Sequence, residues 1–154
     1  MKKPTIDLKN LMQISIVVKD IEKAARNWSE IFGVEMPKIF QVPGPEDCQI
    51  YYRGEKTATR AKLACIDLGQ ITIELTEPDE MDSSWKEFIE DHNGNGVHHI
   101  GFSVGSDENR DKVIEMLEGR GIGVRHYGYY PGGSYTFVDS EDQLGVILNI
   151  KPHA

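Results

Sequence analysis

Hydrophobic and polar positions alternate along Met12–Lys19: Ile14, Ile16 and Val18 interleave with Gln13, Ser15 and Val17. A period of two predicts a strand with two unlike faces. Asp20 then offers an N-cap, and Ile21, Ala24, Ala25, Trp28, Ile31 and Phe32 recur at helical spacing until Gly33. That pattern predicts an amphipathic helix with a glycine stop. Extended runs follow at 34–42, 49–53, 60–68 and 70–76, with P-G-P at 43–45 and Gly69 as breaks. In the last of these, Ile71, Ile73 and Leu75 oppose Thr72, Glu74 and Thr76.

After a polar linker, Trp85, Phe88 and Ile89 mark a short helix over 84–92, and N-G-N-G at 93–96 marks a turn. The opening pattern then recurs. V-H-H-I-G-F-S-V at 97–104 reads as a strand, 107–118 as a helix with Val113, Ile114 and Leu117 inward, and 123–129, 134–139 and 145–151 as strands. The chain is therefore an internal repeat of a β-α-β-β-β unit. The expected architecture is α+β, with two βαβββ modules in tandem forming a cup-shaped curved sheet and helices outside. The expected division is a leader 1–10, a first module 11–77, a linker with a short helix 78–96 and a second module 97–151, packed as one domain.

Superposing the repeats pairs Gln13 with His99 and Glu74 with Asn149. On the face away from the helices lie Gln13 and Ser15, Thr72 and Glu74, His99, Gly101 and Ser103, and Ile147, Asn149 and Lys151. Small and polar residues on that face predict a lined cleft. Neighbours on a strand point to opposite faces, so His99 is expected inside the cup and His98 on the helix side. A carboxylate in mid-strand, as at Glu74, needs a metal or a cationic partner. Gln13 and Asn149 can hydrogen-bond each other, a ligand or a water.

Charge narrows the function. The 17 basic and 25 acidic residues give a net −8, all of it in residues 78–154. Such a chain lacks the basic face that nucleic acids and anionic membranes require. The basic run Arg53, Lys56, Arg60, Lys62 can hold an anionic group or simply solvate a hairpin. Two cysteines without CxxC spacing, no apolar leader and no 18-residue apolar stretch point to the cytoplasm with reduced thiols. The expected partner is a small molecule.

The strings L-M-Q-I-S-I-V-V-K-D-I-E-K-A, I-E-L-T-E-P, the block S-W-K-E-F-I-E-D-H-N-G-N-G-V-H-H-I-G-F-S-V and the late G-G-S-Y-T-F-V-D-S-E-D-Q-L-G-V-I-L-N-I resemble the vicinal oxygen chelate superfamily. The resembling branch contains glyoxalase I-like proteins and methylmalonyl-CoA epimerase. The resemblance implies a divalent metal (Mn, Co, Ni, Zn or Mg) held by Gln13, Glu74, His99 and Asn149, and no organic cofactor. Gln13 stands where the family carries His, and Asn149 where it carries Glu, so the set offers one negative charge rather than two and should bind metal weakly. The resemblance further implies proton-moving carboxylates at Glu74 and Glu46 and a homodimer, and Ser15 and Ser103 on the polar strand face, with Tyr135 of the tyrosine cluster, are the expected substrate contacts. The implied activity is an isomerase or lyase acting on a small acyl thioester or 2-oxo compound. The alternative is a metal-free small-molecule-binding, sequestering protein on the same cup. A dioxygenase site wants two His and a carboxylate, which Gln13 breaks.

Overall fold

The computed structural model describes residues 6–153. After a single 3-10 turn at Leu8–Asn10, ten strands and four helices follow. The strands are β1 Leu11–Val17, β2 Ile39–Gln41, β3 Gln49–Tyr52, β4 Glu55–Thr57, β5 Ala61–Asp67, β6 Thr72–Pro78, β7 Gly96–Ser103, β8 Val124–Tyr130, β9 Gly133–Val138 and β10 Ile147–Lys151. The helices are α1 Ile21–Phe32, α2 Ser84–His92, α3 Asp107–Gly119 and α4 Glu141–Leu144. The expected α+β fold is present: one strongly curled sheet of order β2-β5-β6-β1-β7-β10-β9-β8-β3-β4 forms a half-barrel.

The two halves join at β1 and β7, which pair antiparallel, while each first strand pairs parallel with the last strand of its own half, β1 with β6 and β7 with β10. The helix signals hold. Asp20, Ser83 and Ser106 each accept a backbone N–H at an N-cap, and Gly33 ends α1 in the left-handed region at φ 66°. On the convex side α1 packs on Ala64, Ile66, Ile73 and Leu75, and α3 packs on Phe102, Val138, Leu148 and Ile150.

Three local features differ from the sequence reading. The run at 49–53 does not stay with its own half: β3 pairs with β8 at the far edge of the sheet, and β4 extends it as a hairpin. Strand partners at that distance are not coded by local alternation. Helix α2 carries Trp85 toward the concave side, where it joins Val17, Ile50, Phe137 and Ile147 in a third apolar cluster. Lastly, β7 contains a bulge. Ser15 faces His99 and Ile16 faces Val97, leaving His98 as the extra residue. A bulge breaks the alternation of faces, so His98 is not on the convex side with α1 and α3 but packs against Phe88 of α2 on the concave side. It lies beside His99, ring to ring, with Nδ1 to Nδ1 at 2.8 Å.

Candidate active site

Strand register builds the floor of the cup in two rows. One row runs Thr72, Gln13, Gly101, Asn149, Phe137 across β6, β1, β7, β10 and β9. The next runs Glu74, Ser15, His99, Ile147. Gln13 therefore sits one row from both Glu74 and His99 and reaches each diagonally. Above the floor lies a cavity of about 250 Å³, lined by Gln13, Glu74, His99, Asn149 and Lys151 and by apolar and aromatic walls that include Trp85, Tyr130, Tyr135 and Phe137.

The polar floor is a connected hydrogen-bond circuit whose direction can be worked out. The backbone N–H of Thr136 donates to Asn149 Oδ1 at 3.2 Å, which turns the Asn149 amide nitrogen toward Gln13 Oε1, also at 3.2 Å. Gln13 Oε1 is thereby an acceptor, so His99, 2.9 Å away, reaches it with Nε2–H. A neutral His99 then has a bare Nδ1, which accepts from His98 Nδ1–H. At the other end Gln13 Nε2 donates to Glu74 Oε2 at 2.9 Å. Gly101 makes this possible, since a Cβ there would meet Gln13 Oε1 at 3.0 Å.

Burial sets the charge states. It holds His99 well below the usual imidazole range, helped by His98, His126 and Lys151, and it drops His98 to about 3. Burial pushes the Glu74 carboxyl up, against the pull of Lys151 and of hydrogen bonds from Thr76, Ser15 and Gln13. A carboxylate with a raised pKa on a cavity wall is suited to taking up a proton.

The structure brings Gln13, Glu74, His99 and Asn149 together, with Ser15 donating to Glu74 Oε1 at 3.4 Å. Tyr135 lines the cavity and its hydroxyl meets His126 Nε2 at 3.0 Å. Three residues stand apart from the lining. Ser15 is fully buried behind Glu74. Glu46 is exposed on the 45–47 turn, and Ser103, at the end of β7, is half-buried opposite Lys151. The basic run is engaged structurally: Arg53 pairs with Glu87, and Arg60 donates to the carbonyls of Thr59 and Cys48.

Lys151, Trp85 and Phe137 were not singled out as site residues. Lys151 was signalled by its spacing, two residues beyond Asn149 on the same strand. Phe137 enters only through its pairing with Asn149, and Trp85 through the placement of α2.

Comparison with known proteins agrees with this fold. The model of the Glyoxalase/Bleomycin resistance protein/Dioxygenase superfamily matches residues 12–138. This chain belongs to that superfamily. Among curated proteins it is similar to the mitochondrial methylmalonyl-CoA epimerases of Homo sapiens, 25% identical over 94% of this chain and 74% of the relative, and of Mus musculus, 22% identical over 96% and 75%. Among solved structures, methylmalonyl-CoA epimerase from Mycobacterium tuberculosis superposes with a TM-score of 0.63 at 17% identity, covering 100% of this chain and 93% of that one. The Streptomyces coelicolor epimerase bound to 2-nitronate-propionyl-CoA gives 0.62 at 22% identity, covering 96% and 99%.

Proteins of this superfamily often bind divalent metals, and the floor residues do not fit one. A metal needs lone pairs aimed at one point. Here Gln13 Oε1 already accepts two N–H groups, His99 presents Nε2–H rather than a lone pair, and Asn149 presents its amide nitrogen. Turning Asn149 over would strip the buried N–H of Thr136 of its partner. Among the described residues, no group of three or more His, Cys, Asp and Glu side chains is gathered to hold an ion.

Proposed function

We propose that this protein is an isomerase of small acyl thioesters that moves a proton at the carbon next to the thioester carbonyl. The observation that carries the reading is Glu74: a buried carboxylate on the cavity wall, with its pKa raised, and the one carboxylate among the described lining residues. The similarity to methylmalonyl-CoA epimerases supports the substrate class.

In this reading Glu74 takes the α-proton. The electron pair of the C–H bond moves into the enolate, leaving the charge on the thioester oxygen. Lys151, the one ammonium among the described lining residues, faces that charge. The planar enolate must present its opposite face before Glu74 returns the proton, which regenerates the acyl group with the α-carbon inverted. The cavity holds an acyl end and leaves the thiol carrier outside. Glu46 is assigned the role of a rim carboxylate with no part in the proton transfer, because it stands on an exposed turn.

The test is deuterium uptake. Isobutyryl-CoA, 2-methylbutyryl-CoA and methylmalonyl-CoA are incubated with the protein in D₂O. Mass spectrometry should find one α-deuteron, Glu74→Gln should abolish its entry, and Glu46→Gln should leave it unchanged. A second reading, a sequestering protein, is favoured by how fully Gln13, His99 and Asn149 satisfy one another. Thioester binding with no deuterium entry in the wild type would establish that reading and defeat the first.

A further inference from the structure

We infer that Gln13 is the positioning residue of the cup. Its carboxamide takes the central place among the floor side chains, fixes one direction of hydrogen bonding from His98 to Glu74, and leaves the site independent of a divalent ion. This goes beyond the isomerase reading and does not rest on it, since it concerns what holds the site rather than what the site transforms.

The argument is one of convergence. Three side chains from three different strands close on the Gln13 amide: His99 at 2.9 Å, Asn149 at 3.2 Å and Glu74 at 2.9 Å. All three are polar groups that would be costly to bury unpaired. A metal ion at such a place attracts lone pairs from every side. An amide instead offers an acceptor at one end and donors at the other, so it sorts its neighbours. The oxygen end collects the two donors, His99 Nε2–H and Asn149 Nδ2–H, and the nitrogen end faces the carboxylate of Glu74.

The sorting has a second consequence. With its Nε2–H held by Gln13, a neutral His99 must accept at Nδ1, which dictates the His98 tautomer as well. His98 Nε2 makes no hydrogen bond among the described residues, so the His98 tautomer is set through its contact with His99. One amide thus sets the proton positions on two buried histidines.

The test uses the full chain, stripped with a chelator and titrated with MnCl₂, CoCl₂ and ZnCl₂ by calorimetry. The wild type should show no saturable site that His99→Ala removes. Gln13→Glu, of nearly the same shape, places a second carboxylate between Glu74 and His99 and should gain a saturable site for these ions that His99→Ala removes. In ¹⁵N spectra His99 should be neutral and protonated on Nε2, and Gln13→Met should redistribute that proton between the two nitrogens. A structural packing role alone would lower the melting temperature and leave the tautomer in place. Stoichiometric metal binding by the wild type that His99→Ala abolishes would overturn the inference. So would a His99 protonated on Nδ1, or a folded Gln13→Glu chain with no gain in metal affinity. Loss of deuterium exchange in the wild type would defeat the isomerase reading and leave this one standing.

Discussion

Asn149 and Gln13, 136 residues apart in the chain, share a buried hydrogen bond of 3.2 Å whose direction is fixed from outside the pair, by the backbone N–H of Thr136. Substituting aspartate at 149 tests that direction. Thr136 keeps its acceptor, but the other carboxylate oxygen confronts Gln13 Oε1, acceptor against acceptor, in a dry site. Asn149→Asp should therefore destabilise the protein at pH 7 by about 2 kcal/mol or more. Burial raises the new carboxyl's pKa, so the loss should shrink as the pH falls and the group protonates. Urea melts at pH 7 and pH 5 give the comparison, and an equal loss at both would contradict the stated orientation.

Burial holds His98, His99 and His126 all well below their usual range. A histidine with a lowered folded pKa binds fewer protons in the folded than in the unfolded state. Stability then rises with pH through the window and is lost as the pH falls from about 6.5 toward about 3. Unfolding in that window should take up as many as three protons. His126→Phe should remove one of them, measured as a shallower slope of unfolding free energy against pH. A slope the same as the wild type's would mean that His126 is protonated in the fold.

The strand alternation at 12–19 was enough to put Gln13 and Ser15 in the cup, and the repeat carried the same face to Glu74, His99 and Asn149. The parts that alternation could not reach are those set by pairing between distant segments. His98 crosses to the same side as His99 because β7 must absorb one extra residue against β1. Tyr51 and Tyr52 leave the first half because β3 finds its partner in β8. Trp85 was legible as the apolar stripe of a helix, but its destination inside the cup depends on where the linker lays α2 across β1, β6 and β7. Glu46 was placed by resemblance alone, and its Pro/Gly turn leaves it on the surface.

Gly128 and Tyr135 are coupled by space. A Cβ at 128 would lie 2.5 Å from the Tyr135 ring, far inside contact distance. Tyr135 lines the cavity and holds His126 through its hydroxyl. Gly128→Ala should displace the ring and cost about 1–3 kcal/mol through overpacking. The expected signature is a lowered melting temperature with a changed near-ultraviolet spectrum. An unchanged spectrum would show that the ring has room to move aside.

Arg125 anchors the hairpin edge of the sheet to the segments beside it. Its guanidinium, 10% exposed, pairs with Glu87 on α2, with Asp139 after β9, and with both oxygens of Glu141 on α4. Arg53 joins the same Glu87 from beyond β3 but is half exposed. Burial makes the difference. Removing Arg125 leaves Glu141 without its cation and Glu87 and Asp139 with only the solvated Arg53, whereas Arg53 itself is screened by water. Arg125→Met should cost about 3 kcal/mol and Arg53→Met less than about 1. Raising the salt concentration should narrow the gap between the wild type and Arg53→Met and change the Arg125→Met loss little. Guanidine is unsuitable for this comparison because it is itself a salt, so urea melts at low and high NaCl are the measurement. Equal losses for the two variants would show that Arg125 is as solvated as Arg53.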